Sequence, residues 1–124
     1  MLFALTVAGR VILSPEEPLD ALVGTAFNAH QRRGGRLGPD AVAVAVDQLG
    51  GTGAELIVRR SPWRLDAAGT ELAAEWLGGW VGAASEQEPT LAAEAGAYRG
   101  RRLAQAAAGE LGVVVDHADL LVLP

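Results

Sequence analysis

The stretch Phe27–Gly38, FNAHQRRGGRLG, gathers two amides, an imidazole and three guanidinium groups at the end of a predicted helix. Apolar residues approach it with the i, i+3, i+4, i+7 and i+8 spacing of a helix with one buried face: Leu19, Leu22, Val23, Ala26 and Phe27. His30 continues this apolar stripe. Gly34 and Gly35 predict the end of the helix, because glycine readily takes the left-handed conformation of a C-terminal cap.

The composition indicates a globular protein. The sequence has 124 residues, half of them hydrophobic and 20% charged, which is enough for one modest core, and we predict a single domain over residues 1–124. The absence of Cys excludes disulfides, thiolate nucleophiles and Cys-based zinc sites. Without Cys, the sequence offers only two His as nitrogen or sulfur ligands for a metal ion, so no metal is expected. Every basic residue is Arg, which excludes a Schiff-base lysine or a P-loop lysine.

The net charge and the short apolar runs restrict the expected binding partners and the expected cellular location. A formal net charge of −5 argues against a nucleic-acid partner, because such binding depends on neutralising phosphates. The apolar start of the sequence lacks a basic region and is too short for a signal peptide or a membrane span. Abundant Ala, Gly and Arg are typical of GC-rich bacterial genes. We therefore predict a cytoplasmic bacterial protein with neither a nucleic-acid nor a membrane partner.

Strands alternate with helices along the sequence, which predicts an α/β domain. The predicted strands are Leu2–Val7, Val11–Leu13, Glu55–Arg60, Leu111–Val115 and Leu120–Leu123. The predicted helices run from about Pro18 to His30 or Arg32, from Gly38 to Gly50, from Asp66 or Thr70 to Ala84, and from Pro89 to Ala108. Ser61–Arg64 is predicted to be a loop, because Pro62 lacks a ladder donor. In the last helix, an exposed face is expected for Arg99, Arg101 and Arg102.

The first predicted strand raises a question of pairing. The unbroken apolar run LFALTV at Leu2–Val7 predicts burial on both faces, as in a parallel sheet. Such a sheet needs more strands than this sequence supplies, and an exposed apolar edge invites pairing or aggregation. The sheet therefore either closes within the chain or continues into another segment, a second copy in a homodimer, or a partner subunit.

Three short motifs stand out: N-x-H-Q-R at Asn28–Arg32, S-P-W-R-L at Ser61–Leu65 and H-x-D-L-L at His117–Leu121. With their flanking segments they resemble the C-terminal half of a bacterial class I S-adenosylmethionine-dependent methyltransferase, over nearly all of the chain. The resemblance implies a partial Rossmann-like sheet of about four to five strands flanked by about four helices. In family order, Leu2–Val7 is the fifth strand and Glu55–Arg60 the sixth. The closing segment is the seventh strand, antiparallel and inserted between them.

The resemblance also implies an activity, namely methyl transfer from S-adenosylmethionine to an acceptor bound near the segment after the fifth strand. On that basis His30 is the candidate general base. The candidate acceptor-binding residues are Asn28, Gln31, Arg32 and Trp63. The cofactor-binding first half of the family is not found, because the glycine pairs here do not follow a strand and open a helix. We therefore expect no cofactor-binding residues, and no methyl transfer by this truncated chain alone.

Structural roles compete with these functional ones. His30 fits a half-buried place on the apolar stripe, the arginines of Phe27–Gly38 complement the helix dipole, and Trp63 fits packing against the sheet. Two other functions stay open. One is a non-catalytic interaction module that pairs through the Leu2–Val7 edge or through the tryptophans of the third helix. The other is a small-molecule binder that keeps the acceptor pocket.

Overall fold

The computed structural model describes residues 2–5, 9–53, 55–66 and 69–123, and these form a mixed α/β fold. In chain order the elements are β1 (Leu2–Leu5), β2 (Val11–Ser14), α1 (Leu19–Gln31), α2 (Ala41–Gly50), β3 (Glu55–Arg60), β4 (Trp63–Leu65), α3 (Thr70–Gln87), α4 (Ala92–Ala107), β5 (Gly112–Val115) and β6 (Ala118–Leu123). Single turns of 3₁₀ helix follow α1 and lead into α2 and α4. The mixed α/β class and the four predicted helices are confirmed.

The described strands form two three-stranded antiparallel sheets. In the first sheet β6 lies between β1 and β3 and is antiparallel to both, so β1 and β3 run in the same direction. In the second sheet β5 lies between β2 and β4. Asp116 and His117 connect β5 to β6 and carry the chain from one sheet to the other. The insertion of a reversed closing strand between β1 and β3 agrees with the order expected for that segment.

Several strand predictions require correction. One partial Rossmann-like sheet was predicted, whereas the described strands form two separate antiparallel sheets, and β1 has no parallel neighbour among them. Thr6 and Val7 of the predicted strand lie outside the described residues. β2 pairs with β5, which buries Leu13 opposite Val113. The predicted loop Ser61–Arg64 includes the start of β4, because its proline precedes the strand and stays out of the ladder. The described part of the chain holds six strands, more than the predicted four to five.

The main core lies between the second sheet and the helices. Leu13, Val113 and Leu65 stand opposite one another across β2, β5 and β4, and all three are buried. Trp80 and Leu77 of α3 are buried in the same cluster. The second sheet therefore has one apolar face against the helices, as its alternating side chains require.

The apolar stripe of α1 is buried over only part of its width. Val23 and Ala26 are buried, and Leu19 and Phe27 are partly buried against the core. Leu22 is 55% exposed, so its predicted burial is wrong. Because α1 packs chiefly against α3, the side of the stripe that points away from α3 stays in solvent.

Neither α2 nor β3 holds a fully buried residue. The predicted apolar face of α2 is only half-buried: Val42, Ala45, Val46 and Leu49. Val58 of β3 is 46% exposed. This side of the molecule therefore retains apolar surface that the chain itself does not cover.

Arg99 and Arg101 of α4 are exposed as predicted, but Arg102 is fully buried, so its predicted exposure is wrong. Its Nη2 donates to both Asp20 carboxylate oxygens at 2.7 and 2.9 Å, and its Nη1 donates to the Pro15 carbonyl at 2.7 Å. The Tyr98 hydroxyl also donates to Asp20. Burial, together with this hydrogen bond to a carboxylate, raises the pKa of Tyr98 well above its ordinary value. These bonds fix α4 to the first turn of α1.

Candidate functional site

The segments after β1 and β3 meet the beginning of β6 at one edge of the first sheet. The Asp116 backbone N–H donates to the Arg10 carbonyl at 2.9 Å, and the Ser61 N–H donates to the His117 carbonyl at 2.8 Å. The side chains gathered around this edge are Arg10, Asn28, Arg60, Trp63, Asp116 and His117, which we call the strand-end cluster. Ligands of open α/β sheets bind beyond the carboxyl ends of strands, so this edge is the candidate functional site.

Asn28 links α1 to the strand-end cluster. Its Nδ2 donates to the Gly9 carbonyl at 2.9 Å, and Gly9 has a φ of +80° that glycine tolerates and other residues avoid. One predicted acceptor-binding residue therefore lies at the candidate site, with its amide donor already bonded to the backbone.

Trp63 and His117 form the aromatic part of the cluster. Their rings are stacked with centroids 4.2 Å apart and planes 26° from parallel. Trp63 is 53% exposed, whereas His117 is buried. The His117 Nδ1 lies 3.0 Å from the Val115 carbonyl, which only accepts, so Nδ1 carries the proton and Nε2 is the acceptor of the neutral ring. The predicted site residue Trp63 thus offers one open ring face, with an imidazole behind it.

Asp116 supplies the buried charge of the cluster. Only 10% of its side chain is exposed, and both its oxygens accept from the Arg60 Nη2 at 2.9 and 2.8 Å. The Arg60 side chain is itself 71% exposed. The pair therefore anchors an arginine whose Nε and Nη1 stay available to solvent or a ligand.

His30 and Gln31 project elsewhere. Because residues two apart on an α-helix point roughly 200° apart, His30 faces away from Asn28. The His30 Nε2 lies 3.4 Å from a Glu86 carboxylate oxygen at the end of α3, and its Nδ1 lies 3.5 Å from the Gln31 amide nitrogen. Arg33 donates to the same Glu86 at 3.1 Å. In this geometry the predicted catalytic histidine joins the ends of α1 and α3 and does not join the strand-end cluster.

Arg32, also predicted to bind the acceptor, is paired on the surface. Its Nε and Nη2 donate to Asp40 at 2.8 and 3.2 Å. The hydrogen bond from Arg32 holds the pKa of Asp40 below its ordinary value and raises that of Arg32. Arg36 donates to the carbonyls of Arg33 and His30. The arginines of this stretch therefore bind the protein's own groups.

Neither Asp116 nor His117 was a predicted site residue, although His117 opens the H-x-D-L-L motif. The signal was present in the short D-H-x-D run at Asp116–Asp119. The position of this run depends on strand pairing, because it reaches the candidate site only when β6 lies between β1 and β3.

The glycines of the described residues differ in position from the loop of dinucleotide-binding folds, which follows a strand and opens a helix. The described glycines with positive φ precede a strand or separate helices instead: Gly9, Gly34, Gly35, Gly38, Gly53 and Gly109. The same ranges contain no group of three or more His, Asp or Glu side chains placed to hold a metal. Among the helices described, none has the length and apolarity to cross a membrane.

Comparisons with protein-family models, curated proteins and solved structures found no match to this chain.

Replacing Asn28 with alanine is expected to lower the free energy of unfolding by about 1 kcal/mol, because the Gly9 carbonyl loses its donor. Asn28→Asp should cost at least as much, since a carboxylate cannot donate to a carbonyl. Urea denaturation measures both. Thr25→Ala on the same helix is the control, because Thr25 is exposed and surface substitutions change stability by about 0.5 kcal/mol or less. Equal values for Asn28→Ala and Thr25→Ala would contradict the link.

Proposed function

We propose that this chain is the acceptor-side half of a class I methyltransferase-type fold, completed by a cofactor-binding half outside these 124 residues. The observation that carries the proposal is the strand order β1-β6-β3 with β6 reversed. In that order the carboxyl ends of β1 and β3 lead to the same edge, where ligands of such sheets bind. The motifs that suggested the family contribute Asn28, Trp63 and His117 to that edge.

An open sheet edge supports the same proposal. Within the described first sheet β1 pairs only with β6, so the backbone groups along its other side are available to a further strand. A cofactor-binding half would add its strands at that edge. The role of this chain in the complex is then to bind and orient the acceptor. Trp63 provides the stacking surface, and the His117 imidazole lies behind it.

Isothermal titration tests the proposal in two arms. The chain alone is expected to give no heat with S-adenosylmethionine up to about 1 mM, since it lacks a fitting loop among its described residues. In the second arm the chain is mixed with a separately produced cofactor half of a class I methyltransferase, ending before its fifth strand. Binding of S-adenosylmethionine that is tighter in the mixture than with either half supports the proposal. Micromolar binding by the chain alone, or no gain in the mixture, contradicts it.

A second candidate function is a non-catalytic interaction module. The exposed Val58 and the absence of fully buried residues in α2 and β3 favour it, because this apolar surface is available to another protein. Light scattering distinguishes the two functions. A stable dimer that gains nothing from the cofactor half favours the module, whereas a monomer counts against it.

A further inference from the structure

The second sheet has an outer face whose side chains differ sharply from those of its core face. Ile12 of β2, Val114 of β5 and Arg64 of β4 stand opposite one another in register. Because side chains alternate along a strand, these three point away from the buried row formed by their neighbours. Ile12 is 42% exposed, so this outer face is open to solvent.

Three residues just outside the ends of these strands line the same groove as the outer-face side chains. These are Arg10, Pro62 and Asp116, each one residue outside its strand, and the Asp116 N–H donates to the Arg10 carbonyl. Arg60 enters from β3 and binds the Asp116 carboxylate. The groove formed by all these residues has a volume of about 450 Å³.

The groove is cationic in an otherwise acidic protein. It holds three of the ten arginines of a chain whose formal net charge is −5, and its one carboxylate is Asp116. That carboxylate is nearly buried and is occupied by Arg60, so it presents little charge to the groove. The side chains of Arg10 and Arg64 have no hydrogen-bond or ion-pair partner in the described part of the chain.

We propose that this groove binds a small organic anion, one that carries a phosphate or carboxylate group on a short apolar body. Arg10 and Arg64 supply uncommitted donors, and Arg60 supplies a guanidinium that Asp116 already orients. Ile12 and Val114 give the apolar body a floor between the cations. Trp63 lies on the other face of β4, so the groove is separate from the aromatic stack, although it shares Arg10, Arg60 and Asp116 with the strand-end cluster. Anion binding in the groove does not require methyl transfer, so its test can succeed where the proposed function fails.

Titrations of the full chain with phenyl phosphate, benzoate and phenol test this proposal at low ionic strength. Phenyl phosphate and benzoate share an aromatic body and differ in their anionic group, and phenol is the uncharged control. We expect saturable binding of at least one anion with a Kd near 1 mM or tighter, and weaker binding as salt is raised. The tighter of the two anions identifies the group that the groove prefers.

Variants then locate the binding. Arg64→Gln and Arg10→Gln are each expected to weaken the preferred anion about tenfold, which is the effect of losing one charge-assisted hydrogen bond. Arg59→Gln is the matched control, because Arg59 is an exposed strand arginine next to Arg60 that does not line the groove. It should change the Kd by less than about twofold. The absence of saturable anion binding, equal binding of phenol, or equal losses in all three variants would overturn the proposal.

Discussion

Arg102→Met is expected to lower the free energy of unfolding by about 3–5 kcal/mol, the cost of removing one partner from a buried ion pair. The guanidinium is completely buried, and its loss leaves the Asp20 carboxylate without the cation that binds both its oxygens. The Pro15 carbonyl loses its donor as well. Methionine keeps much of the side-chain volume, so the loss reports charge and hydrogen bonding more than a cavity. Urea denaturation followed by tryptophan fluorescence measures it.

Arg101→Met is the matched control on the same helix. Arg101 binds Glu17 at 2.8 Å, but 51% of its side chain is exposed, and exposed pairs contribute about 0–1 kcal/mol. Adding Asp20→Asn to Arg102→Met should restore part of the lost stability, because the unpaired carboxylate is removed. Similar losses in the two methionine variants would show that Arg102 does not fix α4 to α1.

The helices were accessible from the sequence because their signals are local. Leu19–Gln31 and Ala92–Ala107 lie within the predicted spans, each with apolar periodicity and with a proline close before its start. The burial of individual side chains was less accessible. Arg101 and Arg102 are adjacent on one helix, yet Arg101 binds Glu17 at the surface whereas Arg102 is buried against Asp20. Helical spacing places Arg102 on the buried stripe with Tyr98 and Ala106. The acid that pairs with Arg102 there is Asp20, far along the chain, and local sequence does not identify it.

The strand-end cluster and the cationic groove depend on strand register. Arg10, Arg64 and Asp116 come from three separate segments, and each has an ordinary sequence context. They share one face only because β5 pairs with both β2 and β4 and places Val114 opposite Ile12 and Arg64. A shift of one residue in either pairing would turn these charged side chains toward the core. Sequence periodicity gives the alternation within a strand but not the register between strands.

His30 is a conspicuous residue whose contacts in the structure could not be foreseen from its sequence context. The polar density of Phe27–Gly38 suggested a site, and it stays a prediction that His30 acts on an acceptor. In the structure these polar side chains have partners within the chain. Glu86 contacts both His30 and Arg33, and Asp40 binds Arg32. Helix ends concentrate polar side chains because their backbone groups and neighbouring elements need partners. Asn28 is the residue of this stretch that meets the strand ends.

Gly9→Ala is expected to lower the free energy of unfolding by about 2–5 kcal/mol, the sum of a left-handed backbone penalty and overpacking. Gly9 has a φ of +80°, and an added Cβ would lie 2.8 Å from the Pro39 Cβ. Neither atom belongs to a flexible chain end, so the backbone must shift. That shift would move the Gly9 carbonyl away from Asn28 and disturb the strand-end cluster. Thermal denaturation measures the loss of stability, and near-ultraviolet circular dichroism, to which the exposed Trp63 contributes, reports the change in the cluster.

Gly34→Ala separates the two contributions. Gly34 has a φ of +67°, but an added Cβ would meet nothing within 4 Å, so only the backbone penalty of about 1–2 kcal/mol applies. The excess loss in Gly9→Ala is then the cost of the contact with Pro39. Pro39→Ala removes the Cγ and Cδ atoms of the proline ring but keeps a Cβ. In the double variant Gly9→Ala/Pro39→Ala it should therefore relieve only part of the excess loss. If Gly9→Ala costs no more than Gly34→Ala, the turn after β1 yields without strain and does not hold the strand ends in place.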